Sequence, residues 1–148
     1  LPHNRRHFFH VSVVALCLLF AGCAASPQSG AGTTGLACSN SEQRQIQEHL
    51  YFGTRTPQGL VSENAWATFV ERIITPHFPE GLTVLTGSGQ WQGASGNIER
   101  EPSYVLSLIY SQDRQKDSAI TEIIREYKRR FQQEAVLRVR SEVCVSFP

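Results

Sequence analysis

Four cysteines and five histidines are the side chains best suited to do chemistry in this sequence. Cys17 and Cys23 belong to an apolar stretch near the N-terminus, while Cys38 and Cys144 lie far apart in the remainder. Two cysteines with no clustered histidine fall short of the four ligands of a structural zinc site. His49 and His77 fall on different predicted elements, and no motif sets a Ser or Cys nucleophile beside a base and an orienting acid. Gly87-Ser88-Gly89 is a fragment of a phosphate loop without the lysine and the helix that such a loop needs, so a local strand bulge is the better reading. No catalytic residue, no cofactor and no metal site is therefore expected. The chemistry that remains for the cysteines is acylation and disulfide formation.

Acylation is the expectation for Cys23. Arg5 and Arg6 precede an apolar run from Val11 to Ala21, interrupted only by Ser12. About eleven residues at ~1.5 Å each give roughly 16 Å of helix, short of a ~30 Å hydrocarbon core. A basic start, a short apolar run and small residues at its end describe a secretory signal over residues 1–22. The run closes on Leu19-Phe20-Ala21-Gly22-Cys23, which resembles the lipobox of bacterial lipoproteins. The small side chains of Ala21 and Gly22 leave the backbone open to a peptidase, and the Cys23 thiol is the nucleophile that accepts lipid. The alternative is a soluble secreted protein cut nearby. Ala24 after the cysteine resembles an outer-membrane address in a Gram-negative host, and Asn4-Arg5-Arg6-His7-Phe8-Phe9 resembles a twin-arginine export signal. The expected location is the bacterial cell envelope, with the membrane engaged through the lipid and, in a Gram-negative host, the outer membrane with the domain facing the periplasm.

Composition narrows the remainder. The sequence has 148 residues, 41% hydrophobic and 18% charged, which suits one ordinary domain rather than a large enzyme. Fourteen basic side chains nearly balance thirteen acidic ones, so there is no strong basic field to attract nucleic acid. Removing residues 1–22 takes away two arginines and no acid, leaving a slightly acidic mature chain. Residues 23–37 are mostly Ala, Ser, Gly, Thr, Pro and Gln without a period, which reads as a flexible tether of about 20 Å reach.

The domain, residues 38–148, must position whatever remains. Its expected elements run βαββαβ. Ile46, Leu50 and Phe52 alternate along a first strand from Ile46 to Thr54, with a turn at Pro57-Gln58-Gly59. Ser62 caps a helix over 63–75, whose Trp66, Phe69, Val70, Ile73 and Ile74 form one face before Pro76 and Pro79. A second strand covers Leu82–Thr86 and extends to Trp91 with a bulge; Gly93–Asn97 is a turn; the third strand is Tyr104–Ser111. Ile120, Ile123, Ile124, Tyr127 and Phe131 stripe a second helix over 117–132, and Leu137, Val139, Val143, Val145 and Phe147 alternate along a fourth strand from 135 to 147. This order suits an α+β ferredoxin-like two-layer sandwich, an antiparallel sheet with both helices on one face.

In that topology the first and last strands are antiparallel neighbours, which brings Cys38 and Cys144 together as a disulfide in an oxidising envelope; free thiols are the alternative. The other face of the sheet is left open. Tyr51, His49, Arg138 and Arg140 are expected on it, with Trp91 at its rim and Tyr104 contributing from the third strand. Two arginines among aromatics suit a planar anion or a partner protein.

An ordered run of motifs covers nearly all of residues 38–147: Tyr51-Phe52-Gly53, Pro57, Ser62, Trp66, Thr75-Pro76-His77-Phe78-Pro79-Glu80-Gly81-Leu82-Thr83-Val84, Gly89-Gln90-Trp91, Arg100-Glu101-Pro102-Ser103, Tyr127-Lys128-Arg129-Arg130-Phe131, Glu134-Ala135-Val136-Leu137-Arg138-Val139 and Cys144-Val145-Ser146-Phe147. It resembles a family of bacterial lipoproteins of unknown function, of the domain of unknown function 3574 type. The resemblance implies an envelope location and one small domain, and supplies no activity. The leading expectation is a non-enzymatic binding module acting on a partner protein or on itself as a homodimer. The rival is a small dimeric α/β-barrel-type enzyme or ligand carrier, with a pocket on the open face built from Tyr51, Trp91, Tyr104 and Arg138.

Overall fold

Residues 35–147 are described by a computed structural model. The signal, Cys23 and most of the tether lie outside the described residues. The chain builds strand β1 (Gln43–Gly53), a short hairpin of β2 (Arg55–Thr56) and β3 (Gly59–Leu60), helix α1 (Glu63–Phe69), strands β4 (Thr83–Gln92) and β5 (Ile98–Tyr110), helix α2 (Arg114–Phe131) and strand β6 (Leu137–Val145). The four long strands form one sheet in the order β4-β5-β1-β6, every neighbour antiparallel. The mixed character expected from the sequence, an antiparallel four-stranded sheet with two helices, is present.

Alternation on β1 decides which face is buried. Ile46, Leu50 and Phe52 point into the core with Leu106, Leu108 and Tyr110 of β5. Trp66, Phe69 and Ile74 follow the 3.6-residue period that the sequence showed, and Ala119, Ile120, Ile123 and Tyr127 line the matching stripe of α2. Phe52 touches both helical segments: its ring centroid is 5.2 Å from that of Trp66 and 4.6 Å from that of Tyr127. Both helices thus cover the same face. Each large side chain buried there contributes about 2–3 kcal/mol.

Local chemistry sets the boundaries. The Ser62 hydroxyl accepts a hydrogen bond from the Ala65 N–H at 3.2 Å and starts α1 as expected. The last expected turn of that helix widens into a π-turn over Val70–Ile74. Asp113 caps α2 by accepting from the Gln115 N–H at 2.8 Å. Asp117 lies in the first turn of that helix and Lys128, Arg129 and Arg130 in its last, each matching the sign of the dipole.

Three details depart from expectation. The hairpin β2–β3 is an extra element, closed around Pro57-Gln58 with Gly59 at φ 130°, where an L side chain would be strained. The pairing of β4 with β5 runs unbroken from Thr83↔Ser107 to Gln92↔Ile98, so Gly87-Ser88-Gly89 is regular strand and not a bulge. The third long strand begins at Ile98, six residues earlier than expected, because β4 supplies it with a partner along that whole length.

Cys38 and Cys144 are joined by a disulfide, with Cα atoms 5.5 Å apart and a sequence separation of 106. The register Arg44↔Cys144 explains the meeting: the chain entering β1 runs back past the end of β6.

Candidate functional site

The four residues expected on the open face divide between two faces. Tyr51 and Trp91 lie on the open side and are 39% and 49% exposed. Tyr104 and Arg138 lie on the helix side, which corrects the expectation of a shared site. Tyr104 packs flat on Trp66, with centroids 4.3 Å apart and planes 1° from parallel. Arg138 pairs in register with core residue Leu50, and Arg140 with Glu48. The apolar alternation of β6, from Leu137 to Val145, therefore faces outward, and its arginines face inward.

The cause is Glu48, which sits fully buried between Ile46 and Leu50. A carboxylate there requires partners. The Tyr110 hydroxyl donates to it at 2.6 Å, and the Arg138 guanidinium donates from both Nε and Nη2. Arg138 also donates to Asp117 Oδ1 at 2.5 Å, and Arg140 does so at 3.2 Å. Burial first, and then the bond to Glu48, push the Tyr110 hydroxyl well above its usual range. The hydrogen bond from Arg138 holds Asp117 below the usual carboxylate range. Sequence reasoning missed Glu48; the signal was an acid in phase with Ile46, Leu50 and Phe52. This network satisfies the buried Glu48 carboxylate and fixes the phase of β6 against the core.

A cleft of about 460 Å³ opens where β4 and β5 run on past the end of β1. Its floor includes Tyr51, Gly53 and Ser103; Trp91, Glu99 and Glu101 line one side; Arg55 and Pro57 of the β2–β3 hairpin, with residues 132–135 after α2, line the others. Cross-strand pairing sets Trp91 directly opposite Glu99, and Gly89 opposite Glu101. Glu101 and Gln133 close over Gly53: a Cβ there would lie 2.5 Å from Glu101 Oε1 and 3.2 Å from Gln133 Oε1, so a side chain at this position would displace both. The Glu101 carboxylate accepts from the Arg55 N–H, and the Gln133 amide donates to the Arg55 carbonyl at 2.6 Å. The Tyr127 hydroxyl donates to the Gly53 carbonyl at 2.8 Å, tying the floor to the core. Gln132 ends α2 in the left-handed region at φ 53°, a conformation uncommon outside glycine that turns residues 133–135 toward the cleft. A cleft of this size with aromatic and polar lining suits a small organic ligand. Among the described residues no three His, Cys, Asp or Glu side chains come together as a metal site.

Beside the cleft, the open face carries an apolar row at the end of the sheet near Tyr51, while Gln43, Gln45, Gln47 and His49 hold the same face along the rest of β1. Register sets Leu85, Val105, Tyr51 and Leu137 in one row across all four strands. Leu85 and Leu137 are more than half exposed, and Ile109 and Val139 nearly so. The sequence showed outward apolar residues on the third long strand, but not that β6 adds its own. His49 shares this face, its Nδ1 buried without a hydrogen-bond partner.

The family model described as a protein of unknown function (DUF3574) matches residues 47–147. No curated protein matches the chain. Among solved structures, a phage SAM lyase in complex with S-methyl-5′-thioadenosine is similar at a TM-score of 0.55 and 10% identity, over 76% of this chain and 95% of that one. A phage SAM lyase in the apo state is similar at a TM-score of 0.53 and 10% identity, over 77% and 97%. At that identity the likeness is one of fold.

Proposed function

Because this chain belongs to the DUF3574 family, whose function is unknown, its role must be read from its own surfaces, and we propose that it is a lipid-anchored envelope module that binds through its open sheet face, first of all to a second copy of itself. The observation that carries this is the row Leu85, Val105, Tyr51 and Leu137, flanked by Ile109 and Val139. An antiparallel sheet with one face on its helices normally shows polar residues on the other. Four strands about 4.8 Å apart and about 30 Å long present roughly 570 Å². Two such faces bury on the order of 1,100 Å², which clears the roughly 1,000 Å² of a specific interface. The fold reading behind it is a ferredoxin-like sandwich. It is supported by the order of the long strands (second, third, first, fourth) and by a helix after the first and the third.

The anchor is acylated Cys23, supported by Leu19-Phe20-Ala21-Gly22-Cys23 after a short apolar run. Labelled palmitate is expected to enter the expressed protein and to be lost in Cys23→Ala; equal labelling of the two overturns the anchor. For the face, the detergent-solubilised chain is expected to sediment as a dimer, and Leu85→Asp with Leu137→Asp as a monomer of unchanged circular dichroism. A native chain that is monomeric at micromolar concentration overturns self-association.

A second reading, a ligand carrier or small enzyme, is favoured by the cleft. The phage SAM lyase of similar fold holds S-methyl-5′-thioadenosine, and a cleft of about 460 Å³ has room for a molecule of that kind.

A further inference from the structure

The cleft has an electrostatic character that the open face lacks. Glu99 and Glu101 alternate along β5 and so project to the same side, and Glu134 lines the cleft from the turn after α2. Among the described residues of the lining, Arg55 is the one that is basic. Its guanidinium donates to the Arg100 carbonyl at 2.8 Å and lies 3.9 Å from Glu99, so the lining holds three carboxylates against a single cation, which sits beside Glu99. Aromatic surface is set against this charge. Trp91 pairs across strands with Glu99, and a Cβ at Gly93 would lie 3.5 Å from Glu99 Oε1 and 4.0 Å from the Trp91 Nε1. The indole and the carboxylate thus converge on one point, which the glycine leaves open. A half-exposed indole beside an acid favours a positive charge on two counts, the ring quadrupole and the Coulomb attraction. Among the described residues these acids do not gather as a metal site, and the flat indole surface suits a charge spread over an organic group.

We propose that the cleft between Trp91, Glu99 and Glu101 binds a small aromatic cation, its flat ring against Trp91 and its charge beside Glu99. This rests on the second reading above, that the cleft holds a ligand. Glu99 supplies the specificity, because it is the acid opposite the indole. Glu101 is held by the Arg55 N–H and shapes the floor under Gly53. The apolar length of the cleft toward Tyr51 and Leu137 accepts an uncharged substituent.

Matched probes test this. N-methylquinolinium, neutral quinoline and anionic quinoline-2-carboxylate are titrated at pH 7.5 into the detergent-solubilised full chain. Binding is followed by tryptophan fluorescence, with calorimetry as a check. Trp66 is buried and Trp91 is half exposed, so quenching that disappears in Trp91→Phe reports the cleft. The expected result is at least tenfold tighter binding of the cation than of quinoline, with the anion weaker still. Glu99→Gln is expected to reduce that preference to threefold or less with circular dichroism unchanged, and Glu122→Gln, on the outer face of α2, to leave it intact. Equal binding of cation and neutral probe, or a preference that survives Glu99→Gln, overturns the ligand class while the carrier reading stands. Tighter binding of the anion does the same. No binding of any probe at millimolar concentration overturns both.

Discussion

Replacing Arg138 by leucine strands a buried acid. Glu48 is fully enclosed, and its partners are the two guanidinium nitrogens of Arg138 and the hydroxyl of Tyr110. Removing one member of a buried pair costs about 3–5 kcal/mol, because the charge left behind keeps its desolvation penalty without compensation. The low end applies here, since the Arg138 side chain retains 27% exposure and Tyr110 still donates to Glu48. At about 4 °C per kcal/mol for a domain of this size, Arg138→Leu should lower the melting temperature by about 12 °C. The converse tests the cause. Glu48→Leu combined with Arg138→Leu and Tyr110→Phe removes the buried acid and both of its partners while keeping apolar volume, leaves Asp117 paired with Arg140, and should recover to within about 1 kcal/mol of the native chain. Thermal unfolding by circular dichroism on the three proteins reads both values. A loss below 4 °C for Arg138→Leu, or a triple variant no more stable than the single one, refutes the assignment of Glu48 as a charge held by Arg138.

Three further outcomes follow from the described contacts. Opening the bond between Cys38 and Cys144 with a double serine variant should cost up to about 5 kcal/mol in urea unfolding, since it releases a loop set by a separation of 106 residues; a loss under about 1 kcal/mol counts against that origin. Arg129 and Arg130 hold the half-buried Glu126 carboxyl down at about 2. Its contribution to stability is therefore present above the ordinary carboxylate range and lost as pH falls toward 2, and an NMR titration should find the midpoint near 2 and find it returned upward in Arg129→Ala with Arg130→Ala. Ser62→Ala, which removes the cap of a seven-residue helix, should cost about 1 kcal/mol in chemical denaturation; no change would show that packing of Trp66 and Phe69 alone sets where α1 begins.

Period and caps were legible wherever an apolar side chain meets the core. Trp66, Phe69 and Ile74 on one helical face, Ile120, Ile123 and Tyr127 on the other, and Ser62 at the first cap all stand as the spacing predicts. So does the bond between Cys38 and Cys144, because the pairing of the first and last strands brings the two ends together. The phase of β6 was not legible. Leu137, Val139, Val143 and Val145 alternate as a core strand does, and hydrophobic pattern alone assigns them inward. The buried charge of Glu48 reverses that assignment, because a carboxylate at that depth draws Arg138 to the same side. This single phase error moved Arg138 away from the cleft. The acidic wall was missed for a different reason. Glu99 precedes the expected start of its strand, and it stands opposite Trp91 only because β4 and β5 extend as a long hairpin beyond β1. Nothing in a local window predicts that overhang.

The bond at Cys38 also sets how the domain meets a mechanical load. Any pull on the polypeptide upstream of residue 38 arrives at Cys144 as well as at the start of β1, so two adjacent strands share the tension. β1 has hydrogen-bonded neighbours on both sides, which forces the ladders to shear together rather than unzip one rung at a time. A pull from the C-terminal side meets the same clamp at Cys144 as soon as Val145 and the residues after it are drawn taut, so tension from either direction enters the sheet through one covalent joint.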